Sequence, residues 1–346
     1  MKIGILTHPL KSNYGGILQC YALNKYLNKL GHETIVIQRF YNRDLFLKRW
    51  IRASLKAVHH PRYYKPDQID KTAKIRLFVD KQFKQTKVID TPSKILRVCN
   101  DYHLDAVIVG SDQVWRTDYA MKFGYNYFLD FVSGNVIKAS YAASFGLSDW
   151  HYTEEQTNRI KSLLSRFKAI SVREDEGVTL IKDNIGIDAE HLVDPTLLLT
   201  PEDYKPIVAE RQENEHYVFV YWLGDKSVIL STIEEYKQKG IKVIDINLRD
   251  NKEQPSIERW LSYIKYADTV ITDSFHGCVF SIIFNVPFII HSNDSGGNRR
   301  LLSLFNQLGI IEKITNPKAN IEYDMVNTII TKLQRNSYSY LIKVLS

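Results

Sequence analysis

The sequence predicts an α/β protein built from two doubly wound domains that face each other. Three observations carry this. Short apolar runs rich in β-branched residues recur along the chain, each about the length of a buried strand. Helical stripes and helix caps fall between them. The alternation runs twice, once on each side of Asp194-Pro195, and strands alternating with helices give parallel sheets covered on both faces. At 346 residues the chain has the length of two ordinary domains.

Lys2–Leu6 reads as the first strand. Ile17, Leu18, Tyr21, Ala22, Leu27 and Leu30 make a helical stripe over residues 15–29, closed by Gly31. Residues 34–37 are the second strand. Thr91-Pro92 opens a short helix through Val98. Ala106–Val109 and residues 137–142 are strands. Thr153-Glu-Glu-Gln156 is a capping box for a helix to about Phe167. A strand over 169–172 and a helix around 175–181 follow. In the second half, strands are expected at 217–222, 242–246, 269–272 and 288–291, with helices at about 227–239, 257–266, 277–284 and 299–307. The expected division is a first domain over 1–195, with an inserted segment at about 43–86, and a second over 196–324. A last helix over 325–346 is expected to pack back on the first.

Residues 43–66 stand apart. Leu45, Phe46, Trp50, Ile51 and Leu55 interleave with Lys48, Arg49, Arg52 and Lys56, a basic amphipathic helix with a tryptophan. Peripheral contact with a membrane surface and cover over the cleft are its functional readings. The plain reading is a helix packed on its own domain.

Composition is that of a globular protein, 44% hydrophobic and 25% charged. The start is too short for the apolar core of a leader, and no apolar run reaches the length of a membrane span. Cys20, Cys99 and Cys278 are scattered and form no Cys-x-x-Cys pair, so neither a zinc site nor a disulfide framework is expected. A cytoplasmic location fits. The net charge of +7 suits an anionic substrate or the anionic inner face of a membrane. No nucleic-acid-binding motif accompanies the charge, so no nucleic acid partner is expected.

The most informative stretch runs from Asp268 to Pro287. Thr269–Thr272 is a strand, Asp273-Ser274-Phe275-His276-Gly277 a polar turn, and the apolar residues after it a helix. Ligands of open α/β sheets bind at carboxyl strand ends, and a helix N-terminus favours an anion. His276 at that junction is a candidate acid/base for an anionic substrate. Asn13-Tyr14-Gly15-Gly16 places glycines where a helix begins, so backbone N–H groups can approach a phosphate or carboxylate. Their spacing is neither a dinucleotide fingerprint nor a Walker loop. Ser111 and Asp112 follow another strand, where they either cap a helix or meet a ligand, and Trp115 beside them offers a ring for a sugar. Ser144 lies in the small-residue run that closes the next strand. Arg173 either holds a carboxylate or phosphate through paired hydrogen bonds or forms a local salt bridge with Glu174, Asp175 or Glu176. Arg299 and Arg300 belong to a second arginine-bearing strand-end loop.

Six of these segments, in order, resemble the polysaccharide pyruvyl transferases. They are Asn13-Tyr-Gly-Gly-Ile-Leu-Gln19, Gly110-Ser-Asp-Gln-Val-Trp115, Ser140-Tyr-Ala-Ala-Ser-Phe-Gly146, Ser171-Val-Arg-Glu174, Val193-Asp-Pro-Thr196 and Asp273-Ser-Phe-His-Gly277. The resemblance implies a GT-B-like pair of Rossmann-like domains with the active site in the cleft between them. It implies transfer of a pyruvyl group from phosphoenolpyruvate to two hydroxyls of a saccharide, giving a cyclic ketal and phosphate in surface polysaccharide synthesis. By the same resemblance Arg173 and His276 are catalytic. Asn13, Gly15, Gly16, Ser274, Phe275, Gly277, Arg299 and Arg300 are expected at the donor, and Ser111, Asp112, Trp115 and Ser144 at the acceptor. Other members carry an arginine in the His276 loop, where this chain has Ser274-Phe275; Arg299 or Arg300 is the candidate replacement. The chemistry requires no metal and no cofactor besides the donor substrate. The acceptor is a saccharide, with a lipid-linked one at the membrane face fitting the charge. The alternatives are a GT-B-type glycosyltransferase using a nucleotide sugar, a dinucleotide-dependent reductase, a non-catalytic carbohydrate-binding protein, and a diverged member that has lost transferase activity.

Overall fold

The computed structural model describes residues 1–40, 70–246, 253–290 and 298–346. The amphipathic segment 43–66 lies outside them, as does most of the loop that precedes Arg299. Two four-stranded parallel sheets organise the chain. The first has the order β2-β1-β3-β4, from β1 (Lys2–Leu6), β2 (Glu33–Val36), β3 (Ala106–Val109) and β4 (Ile137–Ser140). β5 (Ser171–Val172) and β6 (Glu190–His191) pair beside β4, tied to it by bridges at Ala139–Ala169 and Ala143–Val172. The second has the order β10-β9-β7-β8, from β7 (Tyr217–Tyr221), β8 (Lys242–Ile246), β9 (Thr269–Thr272) and β10 (Phe288–Ile289). β3 and β7 are buried along their whole length, as strands covered on both faces require. β8 is an edge, and its exposed Lys242 and Asp245 blunt it against pairing with another chain.

The main helices are α1 (Tyr14–Lys29), α2 (Ala73–Gln82), α3 (Pro92–Asp101), α4 (Glu154–Leu164), α5 (Asp175–Ile185), α6 (Leu230–Gln238), α7 (Ile257–Lys265), α8 (Phe275–Ile283), α9 (Asn298–Gln307) and α10 (Tyr323–Leu345). The sequence signals explain their starts. Thr153 and Gln156 close the capping box at α4. Thr91 caps α3 with Pro92 in its first turn. Gly31 follows α1 at φ +83°, a conformation glycine adopts without strain.

The strand expected over 137–142 stops at Ser140, because Ala142 takes φ +47° and turns the chain. The strand expected over 169–172 shortens to β5, which Ser140 and Ser171 cross-link through both hydroxyls. α8 begins two residues before its expected start. The Ser274 side chain accepts from Gly277 N and caps it, so His276 sits inside the first turn. Gly277 is required there by close packing: a Cβ would fall 2.4 Å from Thr272 Oγ1.

One apolar core runs through both lobes. Tyr14, the first residue of α1, stacks on Trp260 of α7 at 5.3 Å between ring centroids, and its hydroxyl donates to Pro255 O at 2.7 Å. The amino end of α1 is thereby fixed against the second lobe. α10 starts beside Val286, where Tyr323 donates to its carbonyl, and ends beside β4, where Tyr340 donates to Ser140 O. Among the described residues no helix is long and apolar enough to cross a membrane.

Candidate active site

The loops after β1 and β3 and the β9–α8 junction meet at the carboxyl edges of their strands. There they border a cavity of about 480 Å³, on which His8, Asn13, Asp112, Lys122, His276 and Arg300 lie. α1 and α8 both point their amino ends at it. Asn13 caps α1 by accepting from Gly16 N at 3.0 Å, as Ser274 caps α8. Neither helix has an acidic residue in its first turn, which favours an anion at their positive dipole ends, though the Asp112 carboxylate already lies beside the start of α1.

Arg173 does not reach this cavity as a free cation. It is buried beneath it, with Nε 2.9 Å from Glu174 Oε1 and Nη1 2.9 Å from Asp194 Oδ2. Its guanidinium lies 4.5 Å from the centroid of Phe275. Burial opposes its charge, but Glu174 and Asp194 outweigh this and hold it protonated. The salt-bridge reading therefore holds for Glu174. A second partner at the same distance, Asp194, comes from the segment after β6.

Asp194 joins this network to the histidine. It accepts from Ser111 Oγ at 3.1 Å, from Thr196 N at 3.0 Å and from Thr196 Oγ1 at 2.7 Å. Its Oδ2 is 3.5 Å from His276 Nε2, an ion-pair separation longer than a well-formed hydrogen bond. Burial alone would raise its pKa; His276, Arg173 and the Thr196 N–H overcome this and hold the carboxylate well below its usual range. The other ring nitrogen of His276, Nδ1, lies against Gly15: a Cβ on Gly15 would stand 2.0 Å from it. Gly15 is thus required by close approach to the histidine.

Asp112 is held in an unusual backbone conformation, φ +73°, which asparagine and aspartate tolerate best among side-chain-bearing residues. Its carboxylate accepts from Gln113 N at 2.9 Å and faces Asn13 Nδ2 at 3.4 Å. Burial favours its neutral form, yet His8, Arg173, His276 and Arg300 together lower its pKa and keep it ionised.

Three acceptor expectations are corrected. Trp115 is fully buried, stacked on Phe128, with its Nε1 donating to Tyr127 O at 2.9 Å, so no face is open to a sugar. Ser111 and Ser144 are also fully buried; their hydroxyls donate to Asp194 and Glu174, which makes them supports of the network. The aromatic rings that do line the cavity are Tyr119, Phe123 and Phe275. Of the paired arginines, Arg299 points away, with its Nη1 3.8 Å from Glu176 Oε1. Arg300 lies on the cavity and over Phe275, at 5.8 Å from its centroid. Burial and repulsion from Arg173 lower its pKa. Its Nε is buried without a hydrogen-bond partner among the described residues.

Asp194, His8 and Lys122 went unremarked as site groups in the sequence. Asp194 had one signal, its place in the family-like Val193-Asp-Pro-Thr196 segment, but Asp194-Pro195 also reads as a linker. Among the described residues no group of three or more His, Cys, Asp or Glu side chains is arranged to hold a metal. Cys20, Cys99 and Cys278 are separately buried and free.

Similarity to known proteins bears on this geometry. No curated protein matches the chain. Among solved structures, the S. aureus MnaA–UDP co-structure superposes with a TM-score of 0.52 at 12% identity, covering 100% of this chain and 98% of that one. The UDP-GlcNAc 2-epimerase from Methanocaldococcus jannaschii gives 0.49 at 12%, covering 96% and 92%. At such identities the likeness is one of fold: two Rossmann-like, GT-B-like domains, as the sequence predicts. The family model for polysaccharide pyruvyl transferase matches residues 13–295, a span holding Asn13, Asp112, Arg173, Asp194 and His276. The chain belongs to the polysaccharide pyruvyl transferase family.

Proposed function

We propose that this enzyme moves the pyruvyl group of phosphoenolpyruvate onto two hydroxyls of a saccharide, forming a ketal and releasing phosphate. The observation that carries the reading is His276, set on the cavity wall in the first turn of α8, facing the amino end of α1 and backed by Asp194. A donor with a carboxylate and a phosphate needs two anion subsites. The two helix N-termini and Arg300 suit them. Protonation of the donor methylene carbon makes its C2 electrophilic, and an acid/base group supports that step by about 10²–10⁴-fold. His276 is assigned that role, with Asp194 Oδ2, 3.5 Å from its Nε2, as the group that orients the ring. Arg173 is assigned to holding Asp194 and Phe275 rather than the donor. A second cavity of about 480 Å³ shares His8 and Pro9 with the first and offers space for further sugars of the acceptor.

Incubation with phosphoenolpyruvate and a panel of saccharides, following phosphate release and ketal formation, tests the reading. His276→Gln is expected to keep its fold, by circular dichroism, and to lose about 10²–10⁴-fold in kcat. Full activity in that variant would refute the assignment. Turnover of a nucleotide sugar, with none of phosphoenolpyruvate, would favour a glycosyltransferase instead.

A further inference from the structure

A second histidine faces the same cavity from the other lobe. His8 follows β1, lies on the cavity wall and packs edge-on against Tyr119 and Tyr127, with ring centroids 5.5 and 5.4 Å away. Its Nδ1 is 3.3 Å from the Tyr127 hydroxyl. Its Nε2 is buried with no hydrogen-bond partner among the described residues. A buried polar atom left unmatched is destabilising, and a ligand's hydroxyl would relieve it. We propose that His8 is the second proton-transfer group of this enzyme, the base that takes the proton of the attacking acceptor hydroxyl while His276 supplies one to the donor. The inference rests on the pyruvyl-transfer reading above.

The proton balance requires two such groups in opposite starting states. Protonated His276 gives its proton to the methylene carbon, making the methyl group. The first hydroxyl oxygen bonds to C2, and neutral His8 takes its proton. The bond from C2 to the phosphate oxygen then breaks, and phosphate leaves with the proton from His8. The second hydroxyl oxygen bonds to C2 and closes the ring, and its proton returns to His276. Both histidines end as they began, and no further reactant is needed. The groups around His8 suit the cycle. Tyr119 and Tyr127 pack against it; Asp112, Lys122, Asp273, His276 and Arg300 are the charged or titratable groups on the shared cavity.

The pH dependence of kcat with phosphoenolpyruvate and an accepted saccharide separates the roles. A base must start neutral and an acid protonated, so the wild-type profile is expected to be a bell. His8→Gln is expected to lose about 10²–10⁴-fold in kcat and the acidic limb, with donor binding by calorimetry unchanged. His276→Gln is expected to lose the alkaline limb. Tyr127→Phe, which keeps His8 but frees its Nδ1, is expected to shift the acidic limb; this reads the role even if His8→Gln misfolds. A His8→Gln enzyme with wild-type rate and both limbs, or a Tyr127→Phe enzyme with an unmoved acidic limb, overturns the proposal and leaves pyruvyl transfer standing. A wild-type chain that makes no ketal from phosphoenolpyruvate overturns both.

Discussion

Arg173 and Arg300 share one aromatic ring and differ in nearly everything else. Both guanidiniums lie over Phe275, at 4.5 and 5.8 Å. Arg173 is enclosed by two carboxylates, and its charge is neutralised before any ligand arrives. Arg300 borders the cavity, with a buried Nε that no described residue satisfies and a pKa lowered by burial and by Arg173. The difference separates a floor from a wall. The floor, comprising Arg173, Glu174, Asp194, Ser111 and Ser144, is a buried, ion-paired polar network whose task is to hold position, although Arg173 Nη2 has no hydrogen-bond partner among the described residues. The wall, comprising His8, His276, Lys122 and Arg300 with the two helix ends, carries the groups that can meet substrate.

If the division is right, floor substitutions act first on stability and wall substitutions on turnover. The largest effect is expected from Asp194→Asn, which leaves buried Arg173 short of a counter-charge. Removing one partner of a buried pair costs about 3–5 kcal/mol, measurable by urea denaturation. The same carboxylate sets an acid sensitivity. Its folded pKa is depressed, so the stability it contributes is complete above its unfolded value, about 4, and is lost as pH falls below that. Unfolding curves from pH 6 downward are expected to fall less steeply in Asp194→Asn than in the wild type. Equal slopes would remove Asp194 from the account.

Gly15→Ala crosses the two regions, because its Cβ would displace His276 while α1 itself tolerates alanine. A misplaced catalytic group costs on the order of 100-fold, so kcat should fall by that order with donor affinity less affected. A fully active Gly15→Ala would mean that His276 moves without consequence.

Arg300→Ala should raise the KM for phosphoenolpyruvate about 10- to 100-fold, matching the loss of about 1.5–3 kcal/mol in charge-assisted hydrogen bonds. Arg299→Ala, beside Glu176 and off the cavity, serves as its control. Similar values for the two would dissolve the contrast from which the wall was defined. The smallest functional effect is expected from Trp115→Phe. It should lower stability by about 0.5–3 kcal/mol through lost packing and its Nε1 hydrogen bond, with acceptor KM unchanged. A selective rise in acceptor KM would restore Trp115 to the sugar site.

Much of the frame was legible because its causes are local. β8 and β9 fall where the apolar runs place them, and Thr153 to Gln156 opens α4 as its capping pattern requires. Gly15 marked close approach to an anion, though what approached it was His276; Gly277, read as part of a polar turn, is packed against Thr272. The site was legible by position rather than by role. Asn13, Asp112 and His276 appeared at strand ends, where ligands of such sheets bind. Asp194 read as a linker because nothing next to it in sequence shows that Arg173 and His276 converge on it.

By itself, then, the sequence determined most of the strands (though not β6), several helix caps and the edge of the sheets on which the site lies. These follow from side-chain periodicity and from hydrogen bonds between near neighbours. The tertiary structure decided which charges are available. It neutralised Arg173, placed Arg300 and not Arg299 on the cavity, buried Trp115 and set His8 across from His276. Desolvation and ion pairing act through space between residues far apart in the chain, so the free or satisfied state of a side chain is settled only when the lobes are packed.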